Sequence, residues 1–390
     1  MSKDRGNQRL IPTIRFKGFT DDWEQRKLLT FVERVTKQSE SRNIPSVEYE
    51  DIQAGVGSLN KDVAQKTVHK RGVEFQKDDI LFGKLRPYLD NRLHASFSGI
   101  AVGDFWILRS TKSASNYTYA LIQADHFRTL ANQTSGTKMP RSDWSNVSNE
   151  EYRIPKSMRE QSEIGKLFDT LDETIALHQR KYENLQAVKK ELLKRMFASD
   201  KKPVPDFRFN GYTNDWEQRK LGDIAVITFG QSPDGKNYTD NPNDHILVQG
   251  NADIKDGHVV PRVWTKQVTK SALPGDLIFS VRAPVGDVGM TDFPVVLGRG
   301  VAGFKANQFV FFLLEKLKLE GYWTRYSSGS TFESVNSKDV KTAPVLSPST
   351  IEQEQIGAFI AVINDTIALH QRKLEDLKQL KKVLLQKLFV

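Results

Sequence analysis

None of the 390 residues is cysteine, which excludes disulfides and thiolate-held metals and fits a reducing compartment. Histidine is scarce, with seven in the chain, and no His-Glu-x-x-His pair is present to hold zinc on one helix face. Long apolar runs are missing. Nothing approaches the roughly 20 residues of a membrane span, and the first ten residues are polar where a secretion signal would be apolar. A soluble cytoplasmic chain without membrane association is therefore expected.

The signatures of catalysis are missing as well. There is no Gly-x-Ser-x-Gly elbow and no dinucleotide glycine fingerprint. The segment Gly230-Gln-Ser-Pro-Asp-Gly235-Lys236-Asn237 approaches a phosphate-binding loop. Asn237, however, stands where Ser or Thr should hold magnesium, and Pro242 interrupts the helix that should follow. Asn241-Pro242-Asn243-Asp244 and Arg86-Pro87-Tyr88 echo the Asn/Asp-Pro-Pro-aromatic motif of amino-methyltransferases but lack its paired prolines. No catalytic residues and no metal are expected. A cryptic nuclease or methyltransferase is the weakest of the alternatives.

What the chain does have is positive charge and a repeat. The net charge is +9, which favours an acidic polymer as partner. Residues 1–158 hold 25 basic against 19 acidic residues, and residues 201–350 hold 18 against 16. The stretches 159–200 and 351–390 are nearly balanced, so the excess lies in the two globular-looking parts. Pro12-Thr-Ile-Arg-Phe-Lys-Gly-Phe-Thr-Asp-Asp-Trp-Glu-Gln-Arg-Lys-Leu28 recurs as Pro205-Asp-Phe-Arg-Phe-Asn-Gly-Tyr-Thr-Asn-Asp-Trp-Glu-Gln-Arg-Lys-Leu221, with 12 of 17 positions identical. A second match pairs 160–197 with 352–389 and shares Thr-Ile-Ala-Leu-His-Gln-Arg-Lys at 174–181 and 366–373. Between these blocks the halves diverge. A period near 193 residues is too long for a solenoid, so the chain reads as two domains, 1–158 and 201–350, each followed by one copy of a shared connector, 159–200 and 351–390.

Each connector reads as one long helix. Ile164, Phe168, Leu171, Ile175, His178, Tyr182 and Leu185 recur in alternating steps of four and three. Ile356, Ile360, Ile363, Ile367, His370, Leu374 and Leu377 do the same in the second copy. That spacing predicts a coiled-coil seam, and the two histidines are polar seam positions of the kind that fix register. The middles read as mixed α/β domains. Strands are expected at 79–82, 105–108, 246–249 and 276–280, and helices at 117–130 and 307–319.

In order, and twice over, these blocks resemble the specificity subunits of type I restriction-modification systems. The carriers are the Arg-Phe-x-Gly-Phe/Tyr…Trp-Glu-Gln-Arg-Lys-Leu opening, Asp79-Ile-Leu-Phe-Gly-Lys-Leu-Arg-Pro-Tyr88, Val248-Gln-Gly-Asn-Ala-Asp-Ile254, Ser328-Gly329…Asp339-Val340 and the Glu-Gln-x-x-Ile start of each helix. The resemblance implies two target recognition domains that each read half of a split double-stranded DNA site. It also implies two antiparallel helices that space the domains and dock two modification subunits. Those subunits would bring S-adenosylmethionine for adenine methylation, and restriction subunits would join the full complex. A stand-alone DNA-binding or bridging protein without a modification partner is the alternative.

Phosphate contacts supply affinity and base-edge contacts supply sequence choice, so basic and amide residues on loops are the candidates for DNA binding. In the first domain these are Lys84, Arg86, Tyr88 and Arg92 after the strand ending at Phe82, with Ser135, Thr137, Lys138 and Arg141 in a glycine-containing loop. In the second domain Ser280 and Arg282 are taken as counterparts, joined by Gln249, Asn251, Arg299, Tyr326, Ser327 and Ser330. Thr137-Lys-Met-Pro-Arg141 and Thr331-Phe-Glu-Ser-Val335 differ in chemistry, so the two domains are expected to make unlike contacts. Trp23 and Trp216 belong to the shared opening and read as packing residues.

Overall fold

The computed structural model describes residues 11–40, 44–63, 66, 70–135, 138–199, 202–326 and 334–389. Two compact units are present: residues 1–180 with 371–390, and residues 181–370. The division falls inside the long helices, not at their ends as the repeat boundaries suggest. Each unit packs one domain against half of each helix.

Both connectors are continuous helices, Met158–Arg195 and Thr350–Leu388. The seam positions behave as their spacing predicts. Ile164, Phe168, Leu171, Ile175, Ile356, Ile360, Ile367 and Leu374 are buried, and His178, Leu185, Ile363, His370 and Leu377 are half-buried. Within the first unit the helix segments run antiparallel: Phe168 meets Phe389 at 5.8 Å between ring centroids, and Asp172 bonds Lys381 eight residues earlier. Within the second unit Lys189 bonds Asn364, while Leu193 and Met196 share a core with Ile356 and Ile360.

The repeated opening has one structural job, done twice. Glu24–Lys27 pairs antiparallel with Glu151–Ile154, and Glu217–Lys220 with Pro344–Ser347. Each ribbon ties the start of a domain to the strand that leads into its helix. Arg15 then donates to both carboxylate oxygens of Glu160 at 2.6 and 2.8 Å, and Trp23 Nε1 donates to Oε1 at 3.2 Å. Arg208, Glu352 and Trp216 repeat the arrangement at 2.7, 2.8 and 3.4 Å. A bidentate guanidinium–carboxylate pair is geometrically demanding, which explains why arginine, tryptophan and glutamate recur at fixed spacing. Trp23 and Trp216 are buried, at 2% and 4% exposure.

In the first domain Val32–Val35, Phe105–Ser110, Ile80–Gly83 and Arg92–His94 form an antiparallel sheet in that order. A second sheet runs Gln38–Ser39, Gly72–Phe75, Gly99–Ala101, Ser46–Val47, its last pair parallel. Alternation along a strand sends neighbours to opposite faces, so a strand buried on both faces feeds two cores. Leu81, Phe105 and Ile107 join Val47 and Phe75 in the first core. Ile80, Phe82, Trp106 and Leu108 face the other way, onto Tyr117, Phe127 and the connector residues Ile164, Phe168 and Leu171. The second domain repeats the logic with larger sheets of six and five strands. Leu277 and Phe279 enter the core shared with Ile356 and Ile360, while Ile278 enters the core with Val248 and Leu297. Each such side chain contributes about 1.5–3 kcal/mol on burial.

The helix expected at 307–319 forms as Gln308–Leu319, capped by the Asn307 side chain, which accepts from the Val310 N–H at 3.3 Å. The helix expected at 117–130 is instead two helices, Ser115–Leu121 and Asp125–Ala131. The cause is local. Gln123 Nε2 donates to the Tyr119 carbonyl at 2.9 Å, a bond that the backbone would make in a continuous helix, and the Gln123 N–H turns to Ala120 instead. Released from the ladder, Ala124 becomes extended, with φ −69° and ψ 150°. Glycine decides how closely each domain sits on its connector. A Cβ on Gly165 would lie 2.2 Å from the Asn116 side chain, and one on Gly357 would lie 2.8 Å from the Phe309 backbone nitrogen.

Candidate nucleic-acid interface

The central strand Ile80–Gly83 ends in a loop whose backbone is held from two sides. The Arg86 N–H donates to the Pro140 carbonyl and the Ser142 N–H to the Lys84 carbonyl, each at 2.8 Å. Leu85 and Arg141 form an isolated antiparallel bridge. Two loops that are distant in sequence thus become one ledge carrying Lys84, Arg86, Tyr88, Lys138 and Arg141. Arg86 adopts a left-handed conformation at φ 50° and ψ 60°, and Asp90 another at φ 55°, so Pro87–Leu89 turns as a single 3-10 step between them. Left-handed backbone is costly for residues other than glycine and is held here by surrounding bonds. Tyr88 is 58% exposed at the tip of that step.

Asp104 lies at the centre of the ledge. Arg141 Nε donates to its Oδ2 at 3.0 Å, and Lys84 Nζ lies 3.5 Å from its Oδ1. One carboxylate between two cations aligns both without cancelling their sum. Behind it the Tyr49 hydroxyl donates to the Asp104 carbonyl at 2.6 Å and accepts from the Leu85 N–H at 3.2 Å. Burial pushes the Tyr49 phenol up to about 12, so it stays a neutral donor. Sequence reasoning missed both residues. The only signal was Gly103, which precedes Asp104 at φ 111° and marks a turn. Among the described residues the exposed Arg86 guanidinium has no hydrogen-bond or ion-pair partner.

The second domain builds the same ledge with other residues. Leu277–Ser280 ends in a loop in which Arg282 bridges Ser334, and the Val335 N–H donates to the Val281 carbonyl at 3.0 Å. Aligning Asp79-Ile-Leu-Phe82 with Asp276-Leu-Ile-Phe279 and the bridge Leu85–Arg141 with Arg282–Ser334 makes Leu85, not Arg86, the counterpart of Arg282. The arginine has moved one place along the loop. The Val281 N–H also donates to Gly300 at 2.9 Å, and the Gly298 N–H to Val248 at 2.7 Å, which draws the turn carrying Arg299 beside Gln249. That turn needs glycine, since a Cβ on Gly300 would lie 2.0 Å from the Gln249 carbonyl oxygen. Gln249 Nε2 donates to the Tyr238 hydroxyl at 2.9 Å, and the Arg299 N–H to Ser232 Oγ at 3.2 Å. Tyr238 and Ser232 are therefore further members that the sequence did not single out. Asn251 opens a 3-10 turn next to Gln249, and the side chains of Arg282 and Arg299 are exposed.

Two candidates are corrected by burial. Arg92 is 2% exposed, bonds Asp90, donates to the Gly55 carbonyl at 3.2 Å and lies 5.9 Å from the Tyr119 ring. Burial works against its charge, but Tyr119, Asp90 and Asp172 outweigh it and raise the guanidinium above its ordinary value. Ser280 is 0% exposed and donates to the carbonyls of Arg282 and Pro284. Both are buried in hydrogen bonds of their own and are closed to solvent. Thr137, Ser327 and Ser330 lie outside the described residues, and Ser135 and Tyr326 are described in backbone only. The near phosphate-binding loop is resolved as something else. Gly235–Asn237 is a 3-10 turn capped by the Asp234 carboxylate and followed by the strand Tyr238–Thr239, so an acid occupies the N-terminal end where a phosphate would sit.

Comparison with known proteins agrees with this architecture. Residues 213–379 match the family described as the type I restriction modification DNA specificity domain. A putative type I restriction enzyme MjaX specificity subunit of Methanocaldococcus jannaschii is 25% identical over 396 residues, covering 93% of this chain and 91% of that protein. The MjaVIII specificity subunit of the same organism is 21% identical, covering 65% of this chain and 64% of that protein. Among solved structures, a type I restriction-modification S subunit from M. genitalium shares the fold with TM-score 0.70 and 13% identity, covering 97% of this chain and 99% of that one. A chain from a structural study of type I system assembly matches with TM-score 0.52 and 22% identity, covering 94% and 97%.

Proposed function

We propose, on the premise that the chain belongs to the specificity subunits of type I restriction-modification systems, that each domain reads one half of a split double-stranded DNA site through its ledge. The observation that carries the reading is the equivalence of the bridges Leu85–Arg141 and Arg282–Ser334. The same bridge is built twice and surrounded by different cations and amides, the arginines among them exposed. A scaffold kept while its contact chemistry changes is what two different half-sites require. Lys84, Arg86, Lys138 and Arg141 serve the first half-site. Gln249, Asn251, Arg282 and Arg299 serve the second.

The chain is the non-catalytic recognition component, and the chemistry belongs to its partners. The connector helices present them a surface. Leu177 and Leu369, at equivalent positions, are each 47% exposed, as are the equivalent Val188 and Leu380. The same apolar pair offered once per helix fits two copies of a modification subunit carrying S-adenosylmethionine, with restriction subunits completing the complex. No described helix is long and apolar enough to cross a membrane.

The test is to co-express the chain with its modification subunit and map methylated adenines genome-wide. Arg86→Ala with Arg141→Ala should relax or abolish one half of the recognised sequence and leave the other intact, with binding weakened by about 1–3 kcal/mol per base contact. An unchanged methylation pattern would remove the ledge from the proposal.

A further inference from the structure

Two lysines occupy equivalent positions on the connectors, 192 residues apart: Lys381, which is buried, and Lys189, which is half-buried. In the first unit Lys381 Nζ donates to Gln123 Oε1 on the domain and to Asp172 Oδ1 on the other helix segment. In the second unit Lys189 Nζ donates to Glu315 Oε1 on the domain at 2.9 Å and to Asn364 Oδ1 on the other helix segment at 2.7 Å. The same offset relates Gln123 to Glu315 and Asp172 to Asn364. Each unit therefore holds one ammonium, one carboxylate and one amide, but the carboxylate comes from the helix in the first unit and from the domain in the second.

The neighbours do not replace the missing charge. Arg92 is paired with Asp90 beside Lys381, and Lys318 with Asp287 near Lys189. Lys378, Lys382, Arg128 and Asp125 line the rim of the first site, and Lys190 and Asp256 that of the second. Burial and the Arg92 guanidinium pull the Lys381 ammonium below its ordinary value, while Asp172, which bonds it, and Asp90 act in the opposite direction. A buried cation that loses its counter-ion is strongly disfavoured.

We propose that these trios are matched locks that assign each domain to its position in the chain. Moved to the second position, the first domain would bring Gln123 to Lys189 and Asn364, leaving an ammonium with two amides. The second domain, moved to the first position, would bring Glu315 to Lys381 beside Asp172, crowding two carboxylates on one cation. The inference rests on the reading of the domains as exchangeable recognition modules. It concerns where they fit, not what they read.

The direct experiment exchanges the two domains in the full-length chain, with and without Asp172→Asn and Asn364→Asp, and follows thermal unfolding. The exchanged chain should melt lower than the parent and recover when the helix substitutions restore one carboxylate per lysine. Equal melting of the two exchanged chains overturns the lock. Point substitutions in the native order keep the test open if an exchanged chain does not fold. Gln123→Glu should lower the melting temperature of the native chain yet raise it in the Asp172→Asn background. Glu315→Gln should do the same in the native and Asn364→Asp backgrounds. Shifts of roughly 2–4 °C per kcal/mol are expected for units of this size, and effects of the same sign in both backgrounds overturn the proposal. No DNA enters these measurements, so their failure is distinct from a failure of the DNA-reading assignment.

Discussion

Glu160 and Glu352 are each 1% exposed, and each accepts three hydrogen bonds from an arginine and a tryptophan of its own unit. A carboxylate so placed is stable only while all its partners are present, because removing one leaves buried charge without compensation. Glu160→Ala should therefore destabilise the first unit by about 3 kcal/mol. Arg15, at 14% side-chain exposure, keeps some access to water, which holds the loss near the lower end of the range. Glu160→Gln should cost less, since an amide oxygen still accepts from Trp23. Denaturant unfolding should show an early transition for the first unit with the second unaffected, and equal losses for Ala and Gln would contradict the charge argument. At the same scale, Arg92 shows why a basic residue near a loop is weak evidence for DNA contact. Its neighbours in sequence gave no hint that Asp90, Gly55 and Tyr119 would enclose it.

At the scale of elements, each domain lies so near its connector that glycine is required on the helix. Helix propensity predicts that Gly357→Ala adds about 1 kcal/mol of stability. The structure predicts the opposite sign. The new Cβ would lie 2.8 Å from the Phe309 backbone nitrogen and 3.1 Å from Gln308 Cβ, and backbone cannot swing aside as a side chain can. A net loss of about 1–3 kcal/mol is expected, the range for overpacking a filled site. Chemical denaturation of the variant decides between the signs. The three atoms nearest a Cβ on Gly165 all belong to the Asn116 side chain, which can move, so Gly165→Ala should be the milder of the two.

The whole molecule combines shared frames with unlike middles, and its two units each bury a core of their own. Replacing residues 30–150 by the middle of a relative should change one half of the methylated sequence and leave the other, as read by genome-wide adenine methylation. A change in both halves would contradict separate readout. The replacement should succeed best when the incoming domain carries an amide at the place of Gln123, because Asp172 already supplies the carboxylate for Lys381.

Much of this was determined by the sequence itself. The repeat predicted two domains and two helices, since a frame written twice must fold twice, and the four-three spacing of Ile164, Phe168, Leu171 and Ile175 placed the seam before any contact was known. The strands expected at 79–82 and 276–280, observed as Ile80–Gly83 and Leu277–Ser280, were legible because buried strands are short unbroken apolar runs. Tertiary structure alone decided three things. It cut the units inside the helices, because each domain core takes side chains from a segment of both connectors. It closed Arg92 and Ser280 to solvent while assembling the ledge around Asp104 and Tyr49, whose roles depend on bridges across more than 30 residues. And it divided one carboxylate and one amide differently around Lys381 and Lys189, a balance that becomes visible only when a side chain from the domain and another from the opposite helix meet on the same ammonium.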